Sequence, residues 1–269
     1  MPSAEYVEQA SCKIGLGFRK LEHRFNPMTK ALLFRPAMAG LFVLALNLGL
    51  FAAQTATTAH PPMPIANTAA KAKSHWAKEI AAFSKADAET PPPASPIVFT
   101  GSSSIRRWTD LGQDFPKDRV LNRGFGGSQF SDIRLFFDEL ILRYRPRQVV
   151  MYSGGNDINA KKPVEEVFAD LKAIVERIHR ELPKTRVAVI AVALNPRRWE
   201  QREQVTALNG MMKEYLSHDS RDVFVDVVPA MLQADGMPKP DIFVSDGLHM
   251  NRKGYDLWIP LVRRVLVEP

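Results

Sequence analysis

Four short stretches of this 269-residue chain combine small residues, glycines and a few polar groups. They are Thr100-Gly101-Ser102-Ser103-Ser104, Asn122-Arg123-Gly124-Phe125-Gly126-Gly127-Ser128, Ser153-Gly154-Gly155-Asn156-Asp157 and Ser245-Asp246-Gly247-Leu248-His249. Acyl transfer needs a nucleophilic hydroxyl, a base to take its proton, a carboxylate to orient the base, and donors for the oxyanion. The serines after Gly101 supply the hydroxyl. His249 is the best base: His23 and His60 fall in a targeting or linker region, and His75, His179 and His218 fall on helices among charged or polar residues. Asp246, three residues before His249, can reach its ring within one turn of chain. The backbone N–H at Gly127 and the side-chain amide of Asn156 can point at one oxygen.

Each stretch alone also has an ordinary reading. Gly101 followed by serines suits a helix N-cap after a strand. The glycines at 124–127 could cradle phosphate, but they lack G-x-G-x-x-G and no lysine follows as in a P-loop. Gly154 to Asp157 suits a simple turn. Asp246 and His249 suit a local cap with a bonded neighbour. The combination of all four, each at a strand end or loop, is what favours chemistry.

The elements that must position these stretches follow from hydrophobic patterning. A helix is expected over Lys71 to Ala86, stopped by Pro91, Pro92, Pro93 and Pro96. Strands are expected at Ile97–Thr100, Arg119–Asn122, Gln148–Ser153, Arg186–Val192 and Val223–Val227. Helices alternate with them at Phe130–Leu142, Val164–Leu182, Gln201–Leu216 and Asn251–Val267. Apolar, β-branched strands alternating with helices imply an α/β three-layer sandwich: a mainly parallel five-stranded sheet with helices on both faces. In such sheets sites form where strands end and loops lead into helices.

Ahead of this region the sequence changes character. Residues 37–53 are uncharged and apolar, Lys30 and Arg35 precede them, and small residues follow. That layout is a secretory signal peptide, or else an uncleaved N-terminal anchor over 28–59, with a buried helix as the third reading and residues 1–27 a dispensable extension ahead of a start at Met28. On the first two readings the remainder is expected to be exported, periplasmic or secreted, and to meet a membrane only through that segment. Residues 60–95 are then a linker with a lead-in helix, and 96–269 the main domain. Six Lys/Arg and three Glu lie before residue 60, so the net charge of +7 leaves only +4 for the rest. That weak balance argues against nucleic acid as a partner. The single cysteine, Cys12, excludes an internal disulfide and any multi-cysteine metal site.

The four stretches, over Ile97 to Asn251, resemble the blocks of the SGNH (GDSL-type) esterase and lipase family, with a likeness to its platelet-activating-factor acetylhydrolase branch. The resemblance implies an SGNH/flavodoxin-like fold with Ser103 as nucleophile, Asp246 and His249 completing a triad, and Ser103, Gly127 and Asn156 as oxyanion donors. One departure is that Ser102 stands where the family has an aspartate, which leaves Ser102 and Ser104 as competing nucleophiles. The chain has no G-x-S-x-G, so an ordinary α/β-hydrolase site is the weaker reading. Arg197, Arg198 and Trp199 lie after the fourth strand, either as an exposed basic turn or as a rim contacting sugar rings or an anionic group. No long apolar lid is evident. The expected substrate is therefore a short acyl group, such as acetyl, on a sugar or small ester, removed without metal or cofactor. The alternatives are an O-acyltransferase on envelope glycan using the same triad, and a non-catalytic glycan-binding module.

Overall fold

The computed structural model describes residues 65–268, so the apolar segment at 37–53 lies outside the described residues. Helix α1 (Ile65–Glu89) is longer than its apolar pattern suggested and ends just before the three prolines. Its Trp76 and Ile80 are buried in the core of the domain. No helix among the described residues is long and apolar enough to cross a membrane.

Five strands form one sheet: β1 (Ile97–Gly101), β2 (Val120–Gly124), β3 (Gln148–Tyr152), β4 (Arg186–Ile190) and β5 (Asp222–Val225). Their order is β2-β1-β3-β4-β5, and all four pairings are parallel. The order makes β1 and β3 neighbours from which the chain departs in opposite directions. That is the switch point at which open α/β sheets place their ligands.

Alternation along the strands feeds two cores. Val149 and Met151 of β3, with Val187 and Val189 of β4, face one side. Val150, Ala188 and Ile190 face the other. On the first side lie α1, then α4 (Phe130–Leu135), α5 (Phe137–Leu140), α7 (Val164–Glu181) and α8 (Arg202–Leu216). The second side is covered by α2 (Ser103–Arg106), α3 (Leu111–Asp114), α9 (Val228–Met231) and α10 (Arg252–Arg263). A short helix α6 (Gly155–Asn159) follows β3. The result is the three-layer α/β sandwich expected from the sequence.

Helix α7 shows why the pattern works. Val167, Leu171, Ile174, Val175 and Ile178 are fully buried at helical spacing, Glu165 and Glu166 sit in the first turn and Arg180 in the last. On the opposite face Trp108, Phe99, Phe115 and Trp258 form a buried aromatic cluster.

Three expected elements differ. The helix at Phe130–Leu142 is broken at Phe136 (φ −104°, ψ 27°) and closes as a 3-10 turn at Leu142–Tyr144. Phe130, Ile133, Phe137, Leu140 and Ile141 nevertheless keep the spacing of one helix face across the break, and all are completely buried. The chain before α8 is a 3-10 segment (Pro196–Gln201), begun by Asn195 whose side chain accepts from the Arg198 amide at 3.0 Å. The last helix is shorter than Asn251–Val267, because Asn251 is its cap and the chain after Arg264 is tied to Gln148 instead.

Candidate active site

The carboxyl ends of β1 and β3 build one wall. Gly101 closes β1 at φ 137° and lies against the Tyr152 carbonyl, which accepts the Ser102 amide at 2.9 Å. This close approach turns the chain out of the sheet, so Ser103 becomes the first residue of α2. That short helix is held from three directions. Asn122 Nδ2 donates to the Ile105 carbonyl at 2.7 Å, Tyr255 donates to the Ser104 carbonyl at 2.8 Å, and Gly124 leaves room for the Arg106 amide.

Asp246 and His249 sit on a tight loop closed by a Val244–His249 backbone bond of 2.8 Å and turned at Gly247 (φ 66°). Asn251 fixes the loop's base through bonds from Nδ2 to the Asp241 and Phe243 carbonyls. His249 Nε2 lies 2.9 Å from Ser103 Oγ, and His249 Nδ1 lies 2.6 Å from Asp246 Oδ2. Asp246 Oδ1 accepts the amides of Leu248 and His249. The imidazole first, and then these amides, hold the Asp246 carboxyl well below the usual carboxylate range. Hydroxyl, imidazole and carboxylate are therefore in line, with Asp246 fixing the Nδ1–H tautomer that leaves Nε2 free to take the Ser103 proton.

Asn156 enters from α6, whose start is made by Gly154 at φ 106°. Its Nδ2 donates to the Ser128 carbonyl at 3.0 Å, tying the third stretch to the second. Gly127, at φ 87°, immediately precedes Ser128. The amides of Ser103 and Gly127 donate to no backbone acceptor among the described residues. Beneath Asn156, Asp157 is fully buried and accepts the Phe130 amide, with Lys162 Nζ at 3.4 Å. Burial pushes its carboxyl up to about 6 despite the lysine.

The cleft between these walls holds about 460 Å³ of space open to solvent. Ser102, Ser103 and Ser104 all border it, but only Ser103 is bonded to His249. Asn156 and Arg198 border it as well. Gly127, Arg197 and Trp199 are not among its lining residues. Arg197 instead donates its amide to the Gly247 carbonyl at 3.0 Å, bracing the Asp246–His249 loop, and Trp199 lies under the Arg202 guanidinium. Asn195, which opens the stretch that carries Arg197, Arg198 and Trp199, lines the cleft too. Sequence reasoning missed Tyr152, the last residue of β3, and Gln201, at the end of the 3-10 segment before α8.

Among the described residues, one group has the ligand chemistry for a metal, His179, Asp219 and Asp222. It lies where α7 ends and β5 begins, at the other edge of the sheet. His179 Nε2 is 2.9 Å from Asp222 Oδ1, and Arg221 occupies both oxygens of Asp219. Its one standing ion pair is Arg221 with Asp219, and none of its residues lines the cleft.

Comparison with known proteins gives the family of the chain. The model of the GDSL-like Lipase/Acylhydrolase family matches residues 86–257. The chain is 29% identical over 170 residues to the bovine (Bos taurus) platelet-activating factor acetylhydrolase IB subunit alpha1, covering 59% of this chain and 69% of that one. Among solved structures, one from Streptococcus pneumoniae whose name refers to platelet activating factor is 22% identical, with a TM-score of 0.64 over 75% of this chain and 96% of that one. An acetylxylan esterase from Geobacillus stearothermophilus is 16% identical, with a TM-score of 0.54 over 66% and 97%. With the family model spanning well over half its length, the chain belongs to the GDSL-like lipase/acylhydrolase family and is an ester-bond hydrolase.

Proposed function

We propose that the protein removes a short acyl group, acetyl foremost, from a sugar or small polar ester through a Ser103–His249–Asp246 triad and a covalent acyl-enzyme. The observation that carries this reading is the unbroken chain of contacts from Ser103 Oγ to His249 Nε2 and from His249 Nδ1 to Asp246.

His249 takes the Ser103 proton as Oγ attacks the ester carbonyl. The amides of Ser103 and Gly127 and the Asn156 Nδ2 hold the resulting oxyanion. Collapse of the tetrahedral intermediate breaks the ester C–O bond, and His249 returns the proton to the leaving alcohol. Water, deprotonated by His249, then attacks the Ser103 ester and releases the acid. Asp246 stabilises the imidazolium in both halves.

The cleft's composition supports the substrate class. Its aliphatic lining is limited to Val192, Ala193, Val205 and Leu248, and polar side chains make up most of the rest. That balance suits a short acyl chain and a hydroxyl-rich alcohol rather than a long lipid tail. The acetylxylan esterase of similar fold has catalytic mutants at a serine, an aspartate and a histidine, with the aspartate three residues before the histidine, which is the spacing of Asp246 and His249. Export of the domain through the apolar segment at 37–53 is part of the same proposal, since envelope and extracellular glycans carry such esters.

The test compares the purified full chain with Ser103→Ala, using p-nitrophenyl acetate, p-nitrophenyl butyrate and acetylated xylooligosaccharide. Activity lost only in the folded variant, with acetate preferred over butyrate, is the expected result. Equal rates in both proteins would remove Ser103 as nucleophile. A preference for butyrate would overturn the acyl assignment.

A further inference from the structure

The Asn156 side chain is held from both ends. Its Nδ2 donates to the Ser128 carbonyl at 3.0 Å, and its Oδ1 accepts from Arg198 Nη1 at 3.1 Å and Nη2 at 3.2 Å. Arg198 Nη1 also donates to the Gly155 carbonyl at 2.9 Å. The guanidinium thus grips the first turn of α6 and the functional end of Asn156 together. It lines the cleft, is half-buried, and has no carboxylate among the charges acting on it. A buried charge without a counter-charge is costly, and proteins keep one where something else uses its field.

We propose that Arg198 is a positioning residue for the oxyanion site: it locks the Asn156 amide with Nδ2 facing the cleft and strengthens that N–H as a donor. The proposal rests on the oxyanion role given to Asn156 above.

The argument is one of donors and acceptors. A primary amide has two N–H donors. One is taken by the Ser128 carbonyl, and the other remains for an acyl oxygen. Flipping the amide would set Oδ1 against the Ser128 carbonyl and the NH₂ group against the guanidinium, two clashes of like polarity. The fork of Arg198 therefore fixes the orientation that the oxyanion needs. A charged donor on Oδ1 also draws density from the amide and polarises Nδ2–H. The unpaired positive charge borders the same cleft as Ser103 and Asn156, where it favours the developing oxyanion more than the neutral ester. Lysine would not reproduce this, because a single ammonium cannot grip Oδ1 and the Gly155 carbonyl in one plane.

The test is a double-mutant cycle in the full chain with the neutral ester p-nitrophenyl acetate, using Arg198→Met, Arg198→Lys, Asn156→Ala and the Arg198→Met/Asn156→Ala pair. Loss of a charged hydrogen bond of this kind lowers kcat roughly 10- to 100-fold. Arg198→Met is expected to do so with KM changed less than about 3-fold, since the interaction strengthens only in the transition state. Arg198→Lys recovers part of that loss. The pair is expected to be no slower than Asn156→Ala alone, because Arg198 acts through Asn156. Multiplicative losses in the pair would overturn the proposal. So would an Arg198→Met effect seen only in KM for carboxylate-bearing esters, which would make Arg198 a substrate contact. An Asn156→Ala variant with wild-type kcat would instead overturn the oxyanion reading beneath it. Circular dichroism establishes that each variant is folded, and Arg198→Lys carries the test if Arg198→Met is not.

Discussion

Trp76 packs edge-on against Phe125, with ring centroids 5.1 Å apart at 85°. A helix that lies mostly ahead of the family match at 86–257 thereby backs the loop that carries Gly126 and Gly127. The same helix is pinned further along, where Asp87 pairs with the buried Arg123 guanidinium and accepts the Tyr144 hydroxyl at 2.6 Å. Trp76→Ala is expected to cost about 3 kcal/mol of stability, the low end for emptying a buried aromatic site. It should also lower kcat more than it raises KM, because Gly127 loses its support, whereas Trp76→Phe retains most of both. Denaturant unfolding and steady-state kinetics on the three proteins check this. An unchanged kcat in a clearly destabilised Trp76→Ala would separate α1 from the oxyanion loop.

Gly101 makes a comparable demand at Ser103, the proposed nucleophile. A Cβ there would stand 2.0 Å from the Tyr152 carbonyl oxygen, and its φ of 137° is closed to L side chains in any case. The neighbouring atom is backbone of β3, so neither strand can yield without losing sheet pairing. Gly101→Ala is expected to lose at least about 3 kcal/mol and to displace Ser103 from His249. A thermal melt and an ester assay test it. A variant with wild-type Tm and rate would show that the turn out of β1 has slack.

Much of this was legible in advance. Strand and helix periods are strong signals when whole faces are buried, as in β3 and α7, and the four polar stretches occur in the order their strands do. The break at Phe136 was not legible, because Leu135-Phe136-Phe137 contains no glycine or proline and the buried positions on both sides of it keep the spacing of one helix face. Helices α2 and α6 have four and five residues, too few for a period to show. Arg198 was singled out as part of a basic turn, but its hold on Asn156 joins residues 42 apart and depends on how β3 and β4 lie side by side.

The pH dependence of catalysis should carry a single acid limb. Asp246 is held below the usual carboxylate range by His249 and two amides, so it remains ionised below the pH at which a free carboxylate takes up its proton. Its folded pKa is depressed, so its contribution to stability is complete above the unfolded carboxylate value and is lost only as pH falls through the lower folded value. Asp246 therefore adds no limb of its own within the ordinary carboxylate range, and log kcat/KM should fall there with a slope of no more than one. A slope of two would mean that Asp246 protonates in the same window. Asp246→Asn, which keeps the shape but loses the charge and disturbs the tautomer, is expected to reduce kcat by about 10³–10⁴.

Asp157 behaves in the opposite sense. It is fully buried beneath Asn156, and desolvation outweighs Lys162 and the Phe130 amide, so its carboxyl titrates at about 6 rather than at 3.8. Between those values the native state holds a proton that the unfolded chain releases. Stability from this group is therefore greatest below the unfolded value, falls as pH rises through the window, and is flat above about 6. The full change is at most about 3 kcal/mol, at 1.36 kcal/mol per unit. Asp157→Asn removes the titration, so the unfolding free energy of the wild type minus that of the variant should decline from pH 4 to pH 7. Urea unfolding of both proteins across that range measures the difference directly. A difference independent of pH would mean that Lys162 keeps Asp157 ionised throughout, and that the floor under Asn156 is an ion pair at every pH tested.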